Sequence, residues 1–201
     1  MTTGAWDIVL LGGASGIGKS RAAARLARES GAFVVELDDV VSAIQEITTA
    51  GQHPDLHHFN TLPDSAELPA TRVLDLQIAT ARALEPAVLG VVRNRLTVNV
   101  PAVIEGDYLT PAAAARAMHE GTAAGRRVQA VFLHEADAGQ ITANYAEREP
   151  EYGVQAHRAE ISTRFSHWLG DQARRHALPV VDCRPWDSLP ARLHAALHAA
   201  G

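Results

Sequence analysis

The sequence predicts an α/β fold of three layers, a five-stranded parallel sheet with helices on both faces and a helical lid. Short apolar runs alternate with helix-period segments along the chain, the pattern of strands joined by helical crossovers. The first apolar run passes through a glycine-rich octet straight into an Ala-rich, Arg-studded helical stretch. At 201 residues, 47% hydrophobic and 20% charged, the chain suits a single domain, residues 1–201, with a sizeable core.

Taken in order, Ile8-Val9-Leu10-Leu11 reads as a short buried strand, and a helix begins at Lys19. Residues 32–37 read as the second strand, ending at Asp38-Asp39, with a short helix over about 40–49 behind it. Residues 51–70 look irregular, with Pro54, Pro63 and Pro69 and three histidines. Thr71 is placed to cap a long apolar-periodic helix through Leu96, which Pro86 should kink or divide. A substrate-side helical region thus spans about 40–98. Residues 100–104 form the third strand candidate, closing on Glu105-Gly106-Asp107, and Pro111 suits the first turn of the next helix. Residues 128–133 and 179–182 complete the strands. Helical segments around 136–147 and 154–177 lie between them, the lid covers about 136–160, and a last helix spans about 188–199.

The octet Gly13-Ala14-Ser15-Gly16-Ile17-Gly18-Lys19-Ser20 matches the GxxxxGK[ST] phosphate-binding loop, and Lys19 is the only lysine in the chain. Glycines let such a loop curl so that successive N–H groups meet phosphate oxygens, and the helix that follows adds the positive end of its dipole. Lys19 is expected to reach the β- and γ-phosphates and the Ser20 hydroxyl to ligate Mg²⁺. The plain alternative is a glycine-rich turn without a ligand, in which three glycines cost stability for no structural return.

Asp38 at the end of the second strand is the expected base for an attacking hydroxyl, with Asp39 second; either could instead cap the following helix. Glu105 is expected near the metal or substrate, and Asp107 and His58 beside the substrate, though Glu-Gly-Asp also suits a plain turn. Arg148 and Arg158 fall where a lid would bring guanidinium forks to the transferring phosphoryl, unless they are ordinary solvated arginines. Arg184 or Trp186, after the last strand, is placed to stack on the nucleotide base, or Trp186 to anchor the core. His53, His57 and His58 lack the further ligand signature a zinc site needs.

Bulk properties bound the partners. A net charge of −5 gives no reason to expect a nucleic-acid or membrane partner, and one cysteine excludes a disulfide framework. The N-terminus lacks a basic leader and no apolar stretch reaches spanning length, so a cytoplasmic protein, monomer or homodimer, is expected.

GGASGIGKS, LDDVVSAI, PAVIEGDYLTP and ALPVVDCRPWDSL together resemble the P-loop small-molecule kinases with a nucleotide-kinase-like fold, and most nearly the 2-phosphoglycerate kinase-like group. The resemblance implies ATP phosphates at Gly13 to Ser20, a base or substrate-side carboxylate at Asp38, Glu105 near metal or substrate, and lid roles for Arg148 and Arg158. Asp38-Asp39 also looks like the single acid that antibiotic O-phosphotransferases of this fold use as base. The second strand ends Glu-Leu-Asp-Asp rather than Ser-Thr-Asp, and position 107 is acidic, both departures from 2-phosphoglycerate kinases. The expectation is an ATP- and Mg²⁺-dependent phosphotransferase acting on a hydroxyl of a small metabolite. A nucleotide-binding regulatory module without turnover is the alternative. A guanine switch of the Asn-Lys-x-Asp type would need a second lysine.

Overall fold

The computed structural model describes residues 6–62 and 67–199. Among them β1 (Ile8–Gly12), β2 (Phe33–Glu36), β3 (Ala102–Gly106), β4 (Val128–His134) and β5 (Val180–Asp182) form one sheet in the order β2-β3-β1-β4-β5. Every pairing is parallel. Central β1 is buried along its whole length, as an apolar run covered on both faces should be. The helices are α1 (Lys19–Ser30), α2 (Leu37–Ile47), α3 (His58–Thr61), α4 (Ala70–Thr97), α5 (Pro111–Ala123), α6 (Ala138–Arg148), α7 (Ala156–Arg175) and α8 (Leu189–Ala199). Short 3₁₀ turns lie at Pro54–Leu56, Pro150–Tyr152 and Trp186–Ser188.

The chain moves from β1 outward to β2 and then back across β1 to β4. Right-handed crossovers in opposite directions must lie on opposite faces of a sheet. Accordingly α1 packs against β2 and β3, and α8 against β4 and β5, while α4, α5 and α7 touch one another on the other face. The result is the three-layer architecture expected. The register sets Gly12 of β1 level with Gly106 of β3 and Phe132 of β4, so the loop after β1 opens where the strand order reverses. That is the place where open α/β sheets hold ligands.

The structure corrects several boundaries. Leu37 belongs to α2 rather than to the second strand. A Cβ on Gly106 would come within 2.6 Å of the Leu37 Cβ, so the start of α2 is packed tightly onto the end of β3. Asp38 and Asp39 therefore occupy the first turn of a helix and neither caps it; Glu36 holds the N-cap position without a side-chain bond. Carboxylates in a first turn face the positive end of the helix dipole, which favours starting the helix here. β2, read as an apolar strand, is the sheet edge, with Phe33 and Val34 exposed.

α4 runs through Pro86 for 28 residues without a break. Pro86 and Arg82, the residue whose carbonyl the ring displaces, both lie on the exposed side, where water takes up the freed group. Pro69, not Thr71, precedes the helix. β3 starts two residues later than the apolar run suggested. Pro101 has no N–H to give to a ladder; its carbonyl instead accepts from the Phe33 N–H at 2.9 Å. The region around 51–70 contains the short α3 and a 3₁₀ turn; Pro63 lies outside the described residues. The reading of the N-terminus as leaderless rests on residues 1–5, likewise outside them. No helix among the described residues is long and apolar enough to cross a membrane.

Candidate functional site

The octet forms the connection between β1 and α1. Gly13, Gly16 and Gly18 all take positive φ, and Gly18 at φ 87° is the N-cap of α1. The two later glycines are also sites of close approach. A Cβ on Gly16 would meet the Tyr145 ring at 2.8 Å, and one on Gly18 the Trp186 ring at 2.4 Å. Side chains are therefore excluded twice over, by backbone conformation and by neighbours. Ala14 and Ile17 point into the core, whereas Ser15 is half-buried and Ser20 exposed on the first turn of α1. Among the described residues, the backbone N–H groups of 14–18 donate no hydrogen bond to a protein acceptor. Unpaired amides ahead of a helix N-terminus form a ready anion cradle.

Beside the loop lies a cavity of about 450 Å³, lined by Gly16, Gly18, Asn144, Arg148, Arg184 and Trp186 among others. A somewhat larger groove, about 520 Å³, runs between α1 and α8 and shares Arg21 and Trp186 with it. The smaller cavity opens on the loop glycines. The Trp186 ring covers Gly18, with Arg21 and Arg184 about its faces, 5.7 and 5.8 Å from the ring centroid. Trp186 packs, partly buried, against the core and also lines the cavity.

The other side of the loop is acidic. Lys19 is buried, and its Nζ lies 2.6 Å from a Glu105 oxygen and 3.0 Å from an Asp107 oxygen. Burial by itself would depress the lysine, but the carboxylates of Asp107 and Glu105 overturn that and hold its pKa above the ordinary value. The lysine is therefore a fixed cation, balanced by internal counterions 86 and 88 residues downstream. Asp38 lies within electrostatic reach of the same group and is exposed to solvent, though its carboxyl sits among neighbours that strip part of its hydration. Desolvation is the main cause that pushes its carboxyl up to about 6, with repulsion from Asp107, Glu105 and Glu36 added and attraction to Lys19 opposing. Asp39 is exposed beside it.

The lid corner is built by α6, Pro150–Tyr152 and α7. Glu149 accepts from Arg148 through one oxygen and from Arg158 through the other, at 2.6 Å for the latter. Both guanidiniums also lie over the Tyr145 ring, at 5.2 and 4.3 Å. Tyr145 is fully buried against the loop, and its hydroxyl shares a 2.9 Å hydrogen bond with Ser162. Arg148 lines the smaller cavity; Arg158 is held behind it by Glu149 and Gln155.

The fold thus gathers Lys19, Asp38, Glu105 and Asp107 at one cleft and Arg148, Arg184 and Trp186 at the adjoining cavity. His58 is elsewhere engaged, paired with Asp55 at 3.1 Å, and His57 is bonded to Thr48. No group of three or more His, Cys, Asp or Glu among the described residues could cage a metal ion. Ser20 is exposed on the first turn of α1 and Glu105 is occupied by Lys19; both carry the hard oxygen donors Mg²⁺ takes, the rest of its shell being phosphate and water oxygens. Sequence reasoning missed Asn144, whose side-chain amide donates to the Gly16 carbonyl at 2.7 Å, and Glu149. Asn144 matters through a partner that only the fold supplies, and Glu149 joins its neighbour Arg148 to Arg158, nine positions on.

Residues 8–166 match the family described as AAA domain. No curated protein matches the sequence. Among solved structures, a gluconokinase from Sinorhizobium meliloti 1021 superposes with a TM-score of 0.60 at 15% identity, over 97% of this chain and 93% of that one. A sugar kinase from Janibacter sp. HTCC2649 gives 0.59 at 20% identity, over 96% and 94% of the two chains. Shikimate kinase from Acinetobacter baumannii, in complex with shikimate, gives 0.56 at 11%, over 97% and 93%.

Proposed function

The chain belongs to the AAA domain family, and from that membership and the cleft's geometry we propose that it is an ATP- and Mg²⁺-dependent kinase that phosphorylates a hydroxyl of a small metabolite. The observation that supports the reading is that Asp38 lies within electrostatic reach of the Lys19–Glu105–Asp107 group, next to a glycine loop with unpaired amides. The three solved structures described as kinases support it by sharing the fold.

In this reading the amides of residues 14–18 and the dipole of α1 hold the β- and γ-phosphates, and Lys19 turns from Glu105 and Asp107 toward them. Ser20 and Glu105 would hold Mg²⁺, which when bound neutralises charge on the phosphate oxygens. Trp186 and Arg184 flank the base. Asp38 takes the proton of the acceptor hydroxyl as its oxygen forms a bond to the γ-phosphorus and the bond from that phosphorus to the ADP oxygen breaks. A base held near 6 is deprotonated at neutral pH and still able to accept a proton. Arg148 meets the charge spread over the equatorial oxygens, and the lid corner excludes water.

Asp38→Asn tests the assignment. Turnover should fall by about 100-fold or more while ATP affinity holds, and the wild-type rise of kcat/KM through about pH 6 should vanish. Unchanged turnover removes Asp38 from the chemistry. ATP binding without transfer to any acceptor would favour the regulatory module instead.

A further inference from the structure

We propose that the acceptor carries no negative charge: amine-bearing polyols are preferred over neutral ones, acids are rejected, and Asp107 sets the order. The inference deepens the kinase reading and rests on it. Its starting point is a stretch of sequence that the phosphate loop does not explain. From Ala32 to Thr71 the chain has seven Asp or Glu and no Lys or Arg, in a protein whose totals are 23 and 18. That stretch contains β2, α2 and α3, and it delivers Asp38 to the cleft.

Most cations around the cleft have acidic neighbours, while Arg21 lies over the Trp186 ring. Lys19 lies between Glu105 and Asp107, Arg148 and Arg158 share Glu149, and Arg184 faces Glu135 at 3.5 Å. An acceptor carboxylate entering beside Asp38 would face that acid and Asp107 with no guanidinium of the 32–71 stretch to receive it. Like charges brought together in a partly desolvated cleft discriminate strongly, which makes this a repulsive filter. An acceptor ammonium meets the same groups as partners. The chain's own lysine provides the precedent, an alkylammonium held by Glu105 and Asp107 at 2.6 and 3.0 Å. In the kinase reading Glu105 serves the metal and Asp38 the proton, which leaves Asp107 to read the acceptor's charge.

The test is a panel in which each hydroxylated scaffold appears as amine, neutral parent and carboxylic acid. Phosphorylated product is measured with ATP and Mg²⁺, and equilibrium binding with a non-hydrolysable ATP analogue. The amine should exceed its neutral parent by about tenfold in kcat/KM, the acid should fall below both, and about 0.5 M salt should compress the series. In Asp107→Asn the amine-to-acid ratio should drop about tenfold; a ratio taken within one variant is not imitated by partial unfolding or weaker ATP binding. An acid that equals its amine in either readout, or binding by no amine at all, overturns the proposal. An unchanged ratio in the variant overturns the role of Asp107. If that variant does not fold, the wild-type series and its salt response decide. Amine binding with no phosphorylated product from any scaffold would overturn the kinase reading and leave the charge preference standing.

Discussion

Two carboxylate clamps flank the glycine loop, and they differ chiefly in how much water they see. At the phosphate loop, the side chains of Lys19 and Glu105 are 7% and 3% exposed and Asp107 21%. At the lid corner, Arg148 and Arg158 are 52% and 45% exposed about a Glu149 at 21%. A unit charge pair gains several times more in a poorly solvated site than at the surface, and loses more when one partner is removed. The loop clamp is therefore the costlier of the two to break, and the clamp at Glu149 the cheaper to open and the more sensitive to salt.

Removing the buried cation should have the largest effect. Lys19→Met leaves Glu105 and Asp107 facing each other without a counterion, and breaking a buried pair costs about 3 kcal/mol at the low end, which the solvent edge of Asp107 favours. Urea unfolding at neutral pH should show that loss, and titration with ATP should show binding abolished. A variant as stable as the parent would mean the carboxylates are hydrated in the folded state, and the contrast between the clamps would fail.

Asp38 is an exposed acid added beside the buried Lys19–Glu105 pair, and its removal should stabilise. Its folded pKa, pushed up to about 6, exceeds the ordinary 3.8, so the native state binds more protons than the unfolded chain between those values. Ionisation above pH 6 therefore costs stability, and Asp38→Asn should recover about 1 kcal/mol at pH 8, after discount for the carboxyl's solvent-facing edge. The gain should shrink as pH falls through 6 and vanish below about 4, where both states are protonated. Thermal unfolding at a series of pH values measures it. A stabilised variant with lost turnover would mark Asp38 as a residue kept for chemistry at the expense of the fold.

The difference between the clamps also explains what the sequence disclosed. The loop, the strands and the order of helices were legible because their signals are local: glycines within one octet, apolar runs, Pro111 in the first turn of α5. The helical placement of Asp38 was not legible, because it depends on Leu37 seating against Gly106, which lies 69 positions away in sequence but in contact in space. Nor were the counterions of Lys19 or the bond from Asn144 to Gly16, with partners 86 and 128 positions apart. Arg148 and Arg158 could be suspected from their position at a helix junction, yet their capture by Glu149 needs the turn at Pro150–Tyr152 that folds α7 back on α6.

The smallest effect should come from the lid. Burial works against the charge on Glu149, yet hydrogen bonds from Arg148 and Arg158 hold its carboxyl below the usual range. A depressed carboxylate contributes stability at neutral pH that is lost only as pH falls through its folded value, so acid should open this clamp while leaving Lys19 charged. Glu149→Gln should cost under about 1 kcal/mol, and less still in high salt, because exposed pairs are screened and the stacking of both arginines on Tyr145 persists. Its mark should be kinetic. With Arg148 no longer fixed beside the 450 Å³ cavity, KM for ATP should rise by a few fold at low salt, and the difference from the parent should shrink as salt is added. A loss of stability as large as that of Lys19→Met would show that the lid clamp is buried in solution, and the two regions would then be alike.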